Sequence, residues 1–325
     1  MSQPPPFFSV ITPSFNQGQW IEGCIKSVLA QGTTDFEHIV FDNCSTDSTA
    51  EVAARYPHLQ WHSERDRGQS DALNKALALA RGEVICWLNA DDQYLPGTFE
   101  TIRQAMSDPA VSVVFGDAEE IYFDGRSSGI RRARFERRED FLVWWEKRTD
   151  LLQPAVFFRR SAIQEAGFLR EDLHLIMDTE LWWRLSEKHR FHYLGKPLAV
   201  QQRQPDSKTI RHAARIYEEK ARVFGPLLDA AYPQDCAKNR LARRRGMGWR
   251  YLGLAQSAAR EDRQTARTFF KLALRENPLL VLSPKWWKAF VWTMRAPSSE
   301  VSRGAAEFAE EKKEIGHETH GRGNA

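Results

Sequence analysis

The apolar and polar positions of this 325-residue chain change rhythm twice. Over the first 120 residues, short apolar runs rich in β-branched and aromatic side chains occur at 7–12, 36–41, 59–62, 84–88 and 111–115. Each reads as a strand. Helical spacing fills the gaps: 19–31, with Ile21, Ile25, Val28 and Leu29 on one face, then a short helix capped by Asp47 or Ser48 and running to Ala54, then 68–81 and 95–106. Strands that are apolar throughout, alternating with helices, predict an α/β fold built on a mostly parallel sheet with helices on both faces. Ligands of such sheets bind beyond the carboxyl ends of the strands. The polar loops 12–16, 42–47 and 89–92 each follow a strand, so all three are expected to converge there.

From 122 to 199 the rhythm is mixed, with a short strand at 155–158. From 210 to 295 it is helical. Residues 239–276 predict an antiparallel helix pair, Tyr251, Leu252, Leu254 and Ala255 facing Ala266, Phe269, Phe270, Leu272 and Ala273. The stretch 264–278 resembles the second half of a tetratricopeptide repeat, but a single copy makes no array. Beyond Pro297 the chain is polar and charged, and a disordered tail is expected.

Composition adds one thing to this picture. The net charge of +3 conceals an asymmetry: residues 1–120 hold 7 Lys/Arg against 17 Asp/Glu, a net of −10, so the remainder carries +13. Acidic front and basic rear suit a cation site followed by a surface that meets anions. The 42% hydrophobic content allows a large core. No apolar run of 18 residues is present, and the opening residues lack the basic and apolar regions of a secretory leader. Cys24, Cys44, Cys86 and Cys236 show no metal-ligand spacing, so reduced thiols and a cytoplasmic location are expected.

The sharpest local feature is Asn89-Ala90-Asp91-Asp92. Adjacent carboxylates at the end of an apolar strand repel one another unless a cation joins them. Hard divalent ions, Mn²⁺ or Mg²⁺, take oxygen ligands and share them with substrate phosphates. The competing explanation is plain helix capping ahead of 95–106.

Four segments, in this order and spacing, tip the balance: Ser-Val-Ile-Thr-Pro-Ser-Phe-Asn-Gln at 9–17, Asp-Asn-Cys-Ser-Thr-Asp-Ser-Thr at 42–49, Ser-Glu-Arg-Asp-Arg-Gly-Gln-Ser-Asp-Ala-Leu-Asn-Lys-Ala at 63–76, and Trp-Leu-Asn-Ala-Asp-Asp-Gln-Tyr-Leu-Pro-Gly at 87–97. Together they resemble the nucleotide-binding half of a family-two glycosyltransferase with the A-type fold. The resemblance covers about residues 7–212. It implies a catalytic domain over 1–212, with a nucleotide-sugar half at 7–120 and an acceptor half at 121–212, a helical extension at 213–296 and a tail at 297–325.

The resemblance also implies roles. Thr12 and Ser14 match nucleoside contacts, Asp42 the carboxylate that reads the base, and Arg67 a loop over the nucleotide. Asp71, with Asn74, opens the next helix, Asp91 matches the ribose- or phosphate-side carboxylate, and Asp92 the metal ligand. An Asx-turn at Asp42 and helix capping at Asp71 stay open beside these. The segment 173–185 resembles the family's Glu-Asp-x-Asp/Glu-Leu-Trp segment, making Asp178 the expected general base of an inverting transfer, with Glu180 close by and Trp182 and Trp183 lining an acceptor site. Helix capping at Asp178 and core packing of one Trp are the alternatives. The segment 201–209 resembles a closing motif in which Gln202 and Gln204 replace Arg and His, so that Arg203, Ser207 or Lys208 could compensate at the diphosphate or metal. Asn43, Cys44 and Asn89 are further departures.

The implied activity moves a sugar from a nucleotide diphosphate, UDP foremost, to a glycan or polyprenyl-diphosphate-linked acceptor in surface-polysaccharide assembly. The Arg clusters at 131–138 and 240–250 and the Trp-rich 284–295 read either as solvated or packed faces, or as contacts with an anionic membrane. No nucleic-acid module accompanies the charge. The rival functions are a nucleotidyltransferase, which lacks its cationic phosphate loop here, and a non-catalytic nucleotide-sugar binder.

Overall fold

The computed structural model describes residues 4–122, 125–146, 149–203, 213–258, 263–287 and 290. The chain divides into two compact units, Met1–Met247 and Gly248–Ala325. Within the first, nine strands form one sheet among the described residues, ordered β3-β2-β1-β4-β8-β6-β9-β5, with β7 alongside β6.

The front of that sheet is the expected parallel half. β1 (Phe8–Ser14) lies between β2 (Phe36–Asp42) and β4 (Val84–Trp87), and β3 (Leu59–Ser63) flanks β2, all parallel. Phe8, Val10 and Ile11 are fully buried because a central strand covered on both faces has no solvent side. The helices α1 (Ile21–Leu29), α2 (Thr49–Ala53) and α3 (Gln69–Leu79) fall where the spacing placed them, one to two residues shorter at most ends.

Beyond β4 the sheet turns mixed. β8 (Val156–Arg159) runs antiparallel to β4 and to β6 (Val111–Tyr122), while β9 (Arg190–Arg203) is parallel to β6. β7 (Ser127–Arg131) hairpins back on β6. Three features here exceed the sequence reading. β6 continues seven residues past the apolar run 111–115, β9 spans 14 residues, and β5 (Gln93–Tyr94) pairs with β9. Gly116 allows the first of these: a Cβ there would sit 2.6 Å from Leu198 Cδ1 and from the Lys196 carbonyl. The β6–β9 register shifts at that point. The expected helix 95–106 starts later, as α4 (Thr98–Ala105), because Gly97 takes the left-handed conformation (φ 78°) and ends the turn after β5.

The stretch 121–212 adds α5 (Arg160–Ala166) and α6 (Met177–Leu185), and the unit closes with α7 (Ala213–Ala231) and the first part of α8 (Cys236–Ala258). In the second unit, the end of α8 and α9 (Arg263–Glu276) bury Tyr251, Ala255, Ala266 and Ala273, as the helix-pair pattern requires. Tyr251 stacks on Phe269, and Trp286 packs 5.1 Å from Phe270. Among the described residues no helix is long and apolar enough to cross a membrane. The 297–325 tail lies outside them.

At the amino end of β1, Ser9 Oγ donates to Glu37 Oε1 (2.6 Å) and accepts from Gly82 N (2.8 Å), while Arg81 holds the other Glu37 oxygen (2.9 Å). A Cβ on Gly82 would lie 2.6 Å from Ser9 N and 2.7 Å from Phe8 C, both backbone that cannot yield. Gly82→Ala is therefore expected to lower unfolding free energy by about 1–3 kcal/mol, measured by urea titration. An unchanged midpoint would mean that β1 shifts freely.

Candidate functional site

The three loops converge at the carboxyl ends of β1, β2 and β4, and hydrogen bonds stitch the first two together. Asn16 (φ 52°) and Cys44 (φ 51°) both take the left-handed conformation. The Asn16 amide N–H donates to Ser45 Oγ (2.7 Å), and the Asn16 side-chain oxygen accepts from Thr46 N (2.9 Å). Asp47 accepts from Gly18 N (2.9 Å) and from the Thr49 amide and hydroxyl. Asp47 is thus spent on loop closure ahead of α2.

Ser14 and Asp42 stand side by side in the β1–β2 register. Asp42 is 1% exposed and accepts from Ser45 N (2.8 Å), Ser45 Oγ (2.5 Å) and Ser63 Oγ (3.3 Å), so the Asx-turn contacts are present. Ser14 is 5% exposed, and its buried hydroxyl has no partner among the described residues. An unspent buried hydroxyl next to a carboxylate at a strand end is what a polar ligand would satisfy. Thr12 lies deeper, its hydroxyl engaged by His38 Nε2 (3.0 Å). Burial pushes the His38 pKa down to about 3, which keeps that ring neutral.

At the end of β4, Asp92 is 3% exposed and Asp91 half-buried. Burial, and then repulsion from Asp91, hold the Asp92 pKa well above the usual carboxylate range. The Gln202 amide (3.0 Å) and the Asn89 side-chain amide (3.3 Å) act the other way. Burial raises Asp91 as well. Capping does not account for the pair, since α4 begins beyond Gly97 and takes no side-chain cap. Asn89 is the hub beneath them. Its oxygen accepts from Trp87 Nε1 (2.9 Å) and Gln69 Nε2 (3.0 Å), and its amide donates to Gln153 Oε1 (2.7 Å) as well as to Asp92. An aspartate in that place would have no proton for Asp92 or Gln153. The Asn89, Gln153 and Gln202 contacts were not assigned in the sequence, because each acts through an amide rather than a charged group.

Arg67 and Asp71 pair with one another (3.1 Å), and Asp71 also accepts from Arg67 N (3.0 Å). Burial works to raise the Asp71 pKa, but these bonds and Lys75 outweigh it, so its carboxylate is held below the usual range. Arg67 reaches Glu171 as well (2.7 Å). Asn74 exchanges two hydrogen bonds of 2.9 Å with the backbone of Leu169. α3 thereby grips the segment at 169–171, within the stretch 121–212.

In that stretch, Asp178 lies half-buried in the first turn of α6, where Ile176 is the cap residue. Thr179 N donates to it (2.6 Å). Burial raises its pKa, against the hydrogen bonds of Thr179 and the charge of Lys220. α6 packs on the end of β4 through Trp182, whose ring lies 6.4 Å from Trp87 and 5.6 Å from Phe158. Trp182 is 1% exposed, so the structure makes it a core residue, with no ring face open to a sugar. Trp183 is half-buried and carries the Arg138 guanidinium over its ring at 4.3 Å. Glu180 also departs from the acceptor expectation. It is buried against Arg184 (2.9 Å), which in turn binds the carbonyls of Ala166, Gly167 and Phe168, a brace between α5 and α6. Gln204 and Lys208 lie outside the described residues.

A nine-stranded sheet, with polar loops at its parallel strand ends and paired carboxylates beside them, has the architecture of the A-type glycosyltransferase fold. Residues 9–167 match Glycosyl transferase family 2, and over that stretch the chain belongs to this family. An uncharacterized protein of Mycobacterium tuberculosis, MT1568, is 29% identical over 224 residues, 63% of this chain and 70% of its own length. The putative teichuronic acid biosynthesis glycosyltransferase TuaG of Bacillus subtilis is 33% identical over 115 residues, 34% of this chain and less than half (46%) of that protein. Among solved structures, S. aureus TarS 1-349 in complex with UDP-GlcNAc shares the fold, with a TM-score of 0.55, 18% identity and 88% of each chain covered.

Asn89→Asp replaces the amide donor facing Asp92 and Gln153 Oε1 with a third carboxylate. In chelator it is expected to lower unfolding free energy by about 1–3 kcal/mol, with partial recovery in Mn²⁺. Parent-like stability in chelator would show that the hub does not depend on the amide proton.

Proposed function

We propose that this glycosyltransferase transfers a sugar from a UDP-sugar to a hydroxyl of a surface polysaccharide or its lipid-linked precursor, with inversion at the anomeric carbon. The observation that carries the proposal is the buried carboxylate pair Asp91 and Asp92 at the end of β4, the strand whose Trp87 packs 6.4 Å from Trp182 of the helix that bears Asp178. TarS, in its complex, binds UDP-GlcNAc, and TuaG is named for teichuronic acid biosynthesis, which supports the donor and acceptor classes.

The donor chemistry of the strand end suits a hard divalent cation. Two adjacent carboxylates whose ionisation burial opposes, with the Asp91 charge opposing that of Asp92 as well, gain most from one. Among the described residues no group of three or more His, Cys, Asp and Glu side chains forms an ion cage. Asp92 and Asp91 would therefore hold the ion jointly with the diphosphate. Mn²⁺ or Mg²⁺ would there offset the charge that develops on the leaving diphosphate.

The chain's own groups do the rest. Ser14 offers its unspent hydroxyl to the nucleoside, and Asp42 accepts base N–H groups by giving up Ser45. Arg67 covers the phosphates. Thr12 stiffens β1 from within. Asp178 accepts the proton of the acceptor hydroxyl on the face opposite the leaving group. Its raised pKa brings the base nearer to working pH than an ordinary carboxylate. Gln204 and Lys208 remain assigned to the diphosphate side.

A second surface extends the reading toward the membrane. In the second unit Leu279, Val281, Leu282 and Trp287 are exposed, Leu282 at 78%, beside Lys285. Trp286 is buried, so the Trp-rich segment divides between packing and exposure. Aliphatic and Trp side chains beside Lys suit an anionic lipid interface. Flotation with anionic vesicles at low salt is expected to carry the protein upward, less so for Leu282→Ser/Trp287→Ser. A protein left at the bottom with anionic lipid would remove this assignment.

For the chemistry, Asp92→Ala is expected to weaken UDP binding in Mn²⁺ by calorimetry and to abolish transfer. Asp178→Asn is expected to spare UDP binding and lower kcat by 10²-fold or more, on the order of the usual contribution of a general base. Because the Asp178 pKa is raised, the parent's kcat should fall with decreasing pH at a pH above the ordinary carboxylate range near 4. Full turnover by either variant would remove its assignment. The donor would be chosen by thermal shift across UDP-sugars with and without Mn²⁺.

A further inference from the structure

α7 lies outside the stretch that matches the family and beyond the expected catalytic boundary at 212. It is nevertheless fastened along the segment that leads to Asp178. The Glu219 carboxylate accepts from two consecutive backbone amides, His174 N (3.2 Å) and Leu175 N (3.1 Å). Three residues along the helix, Arg222 donates to the Asp172 carbonyl (3.0 Å) and reaches its carboxylate (3.3 Å). Phe224 packs 6.2 Å from Trp183, and Tyr217 stacks 5.6 Å from Trp144. Lys220, next to Glu219, acts electrostatically on Asp178.

The same segment is held from the other side by the donor half. Ser70 Oγ donates to the Leu173 carbonyl (3.2 Å), Asn74 pairs twice with Leu169, and Arg67 reaches Glu171. Residues 169–175 therefore form a strap between α3 and α7, and Asp178 follows three residues later. The strap has no regular secondary structure of its own, so its course is fixed by these side chains. One carboxylate taking two adjacent N–H groups sets their direction as well as their position.

We infer that Glu219 is a positioning residue for this transfer: by gripping the His174 and Leu175 amides it sets where Asp178 meets the acceptor hydroxyl, and α7 is thereby part of the catalytic unit. The inference rests on Asp178 as base. A base displaced by about 1 Å loses on the order of 10²-fold in rate, while the nucleotide, bound at β1, β2 and β4, is unaffected. The expected signature is a fall in kcat without a fall in nucleotide affinity.

The test compares Glu219→Ala, Glu219→Gln and Asp178→Asn in the full chain. Glu219→Ala is expected to lower kcat for transfer from the thermal-shift-selected UDP-sugar by roughly 10- to 100-fold. Calorimetric UDP affinity in Mn²⁺ should stay within a factor of about 2, well under 1.4 kcal/mol. Glu219→Gln keeps one acceptor oxygen and should recover part of the loss. Hydrogen exchange supplies a readout that needs no turnover: the His174 and Leu175 amides should lose protection in Glu219→Ala, while α3 and the rest of α6 keep theirs. Parent-like kcat, unchanged protection, or UDP affinity that falls in step with kcat would each overturn the inference. If Asp178→Asn itself turns over normally, it is the assignment of the base that fails, whatever Glu219 does.

Discussion

Two neighbouring carboxylates at the end of a buried strand are the constraint around which this site is arranged. Asp92 is almost wholly enclosed, and its ionisation is opposed by burial and by Asp91. A protein can hold such a pair only if donors converge on it. Two do: the Asn89 amide from the strand's own end, and the Gln202 amide from β9. The second dictates much of the architecture. β9 has to run 14 residues to bring residue 202 back to the end of β4, and β6 has to extend past Gly116 to accompany it. The mixed half of the sheet is in this sense the support of the acidic end.

The parallel half was legible because its signals are local. Apolar runs, helical spacing and strand-end loops placed β1 to β4 and α1 to α3 within a few residues, and four segments in order gave the family. The longer strands were not legible, since 116–122 and 190–203 alternate too weakly to mark a strand. Their pairing comes from tertiary register, which propensity does not encode. β5, two residues long, carries no pattern at all.

Within the site, legibility followed charge. Asp42, Asp71, Asp91, Asp92 and Asp178 stood out as carboxylates at strand or helix ends, and all lie at such ends. The side chains that arrange them do so through amides and backbone: Asn89 at the hub, Gln153 against the Trp87 carbonyl (2.6 Å), Asn74 against Leu169. These residues look like ordinary polar positions in one dimension. Two expectations went the other way for a related reason. Trp182 and Glu180 share one stretch with Asp178, but the fold gives each different neighbours: Glu180, two residues on and so on the opposite side of the helix, meets Arg184, and Trp182 packs on Trp87 and Phe158.

The acidic front and basic rear, read together, bear on how the two halves join. Across residues 169–175, Arg67 of the front pairs with Glu171 of the rear, while Arg222 and Glu219, from the rear itself, hold Asp172 and the 174–175 amides. Exposed single ion pairs of this kind contribute little stability each, about 0–1 kcal/mol. Their effect is geometric. They fix a segment that has no secondary structure and no buried apolar side chain but Leu169 and Leu173 to hold it. A strap built from weak, directional bonds can be placed accurately in the folded protein and still open locally at small energetic cost. That combination suits the proposed base, which has to be aligned for transfer.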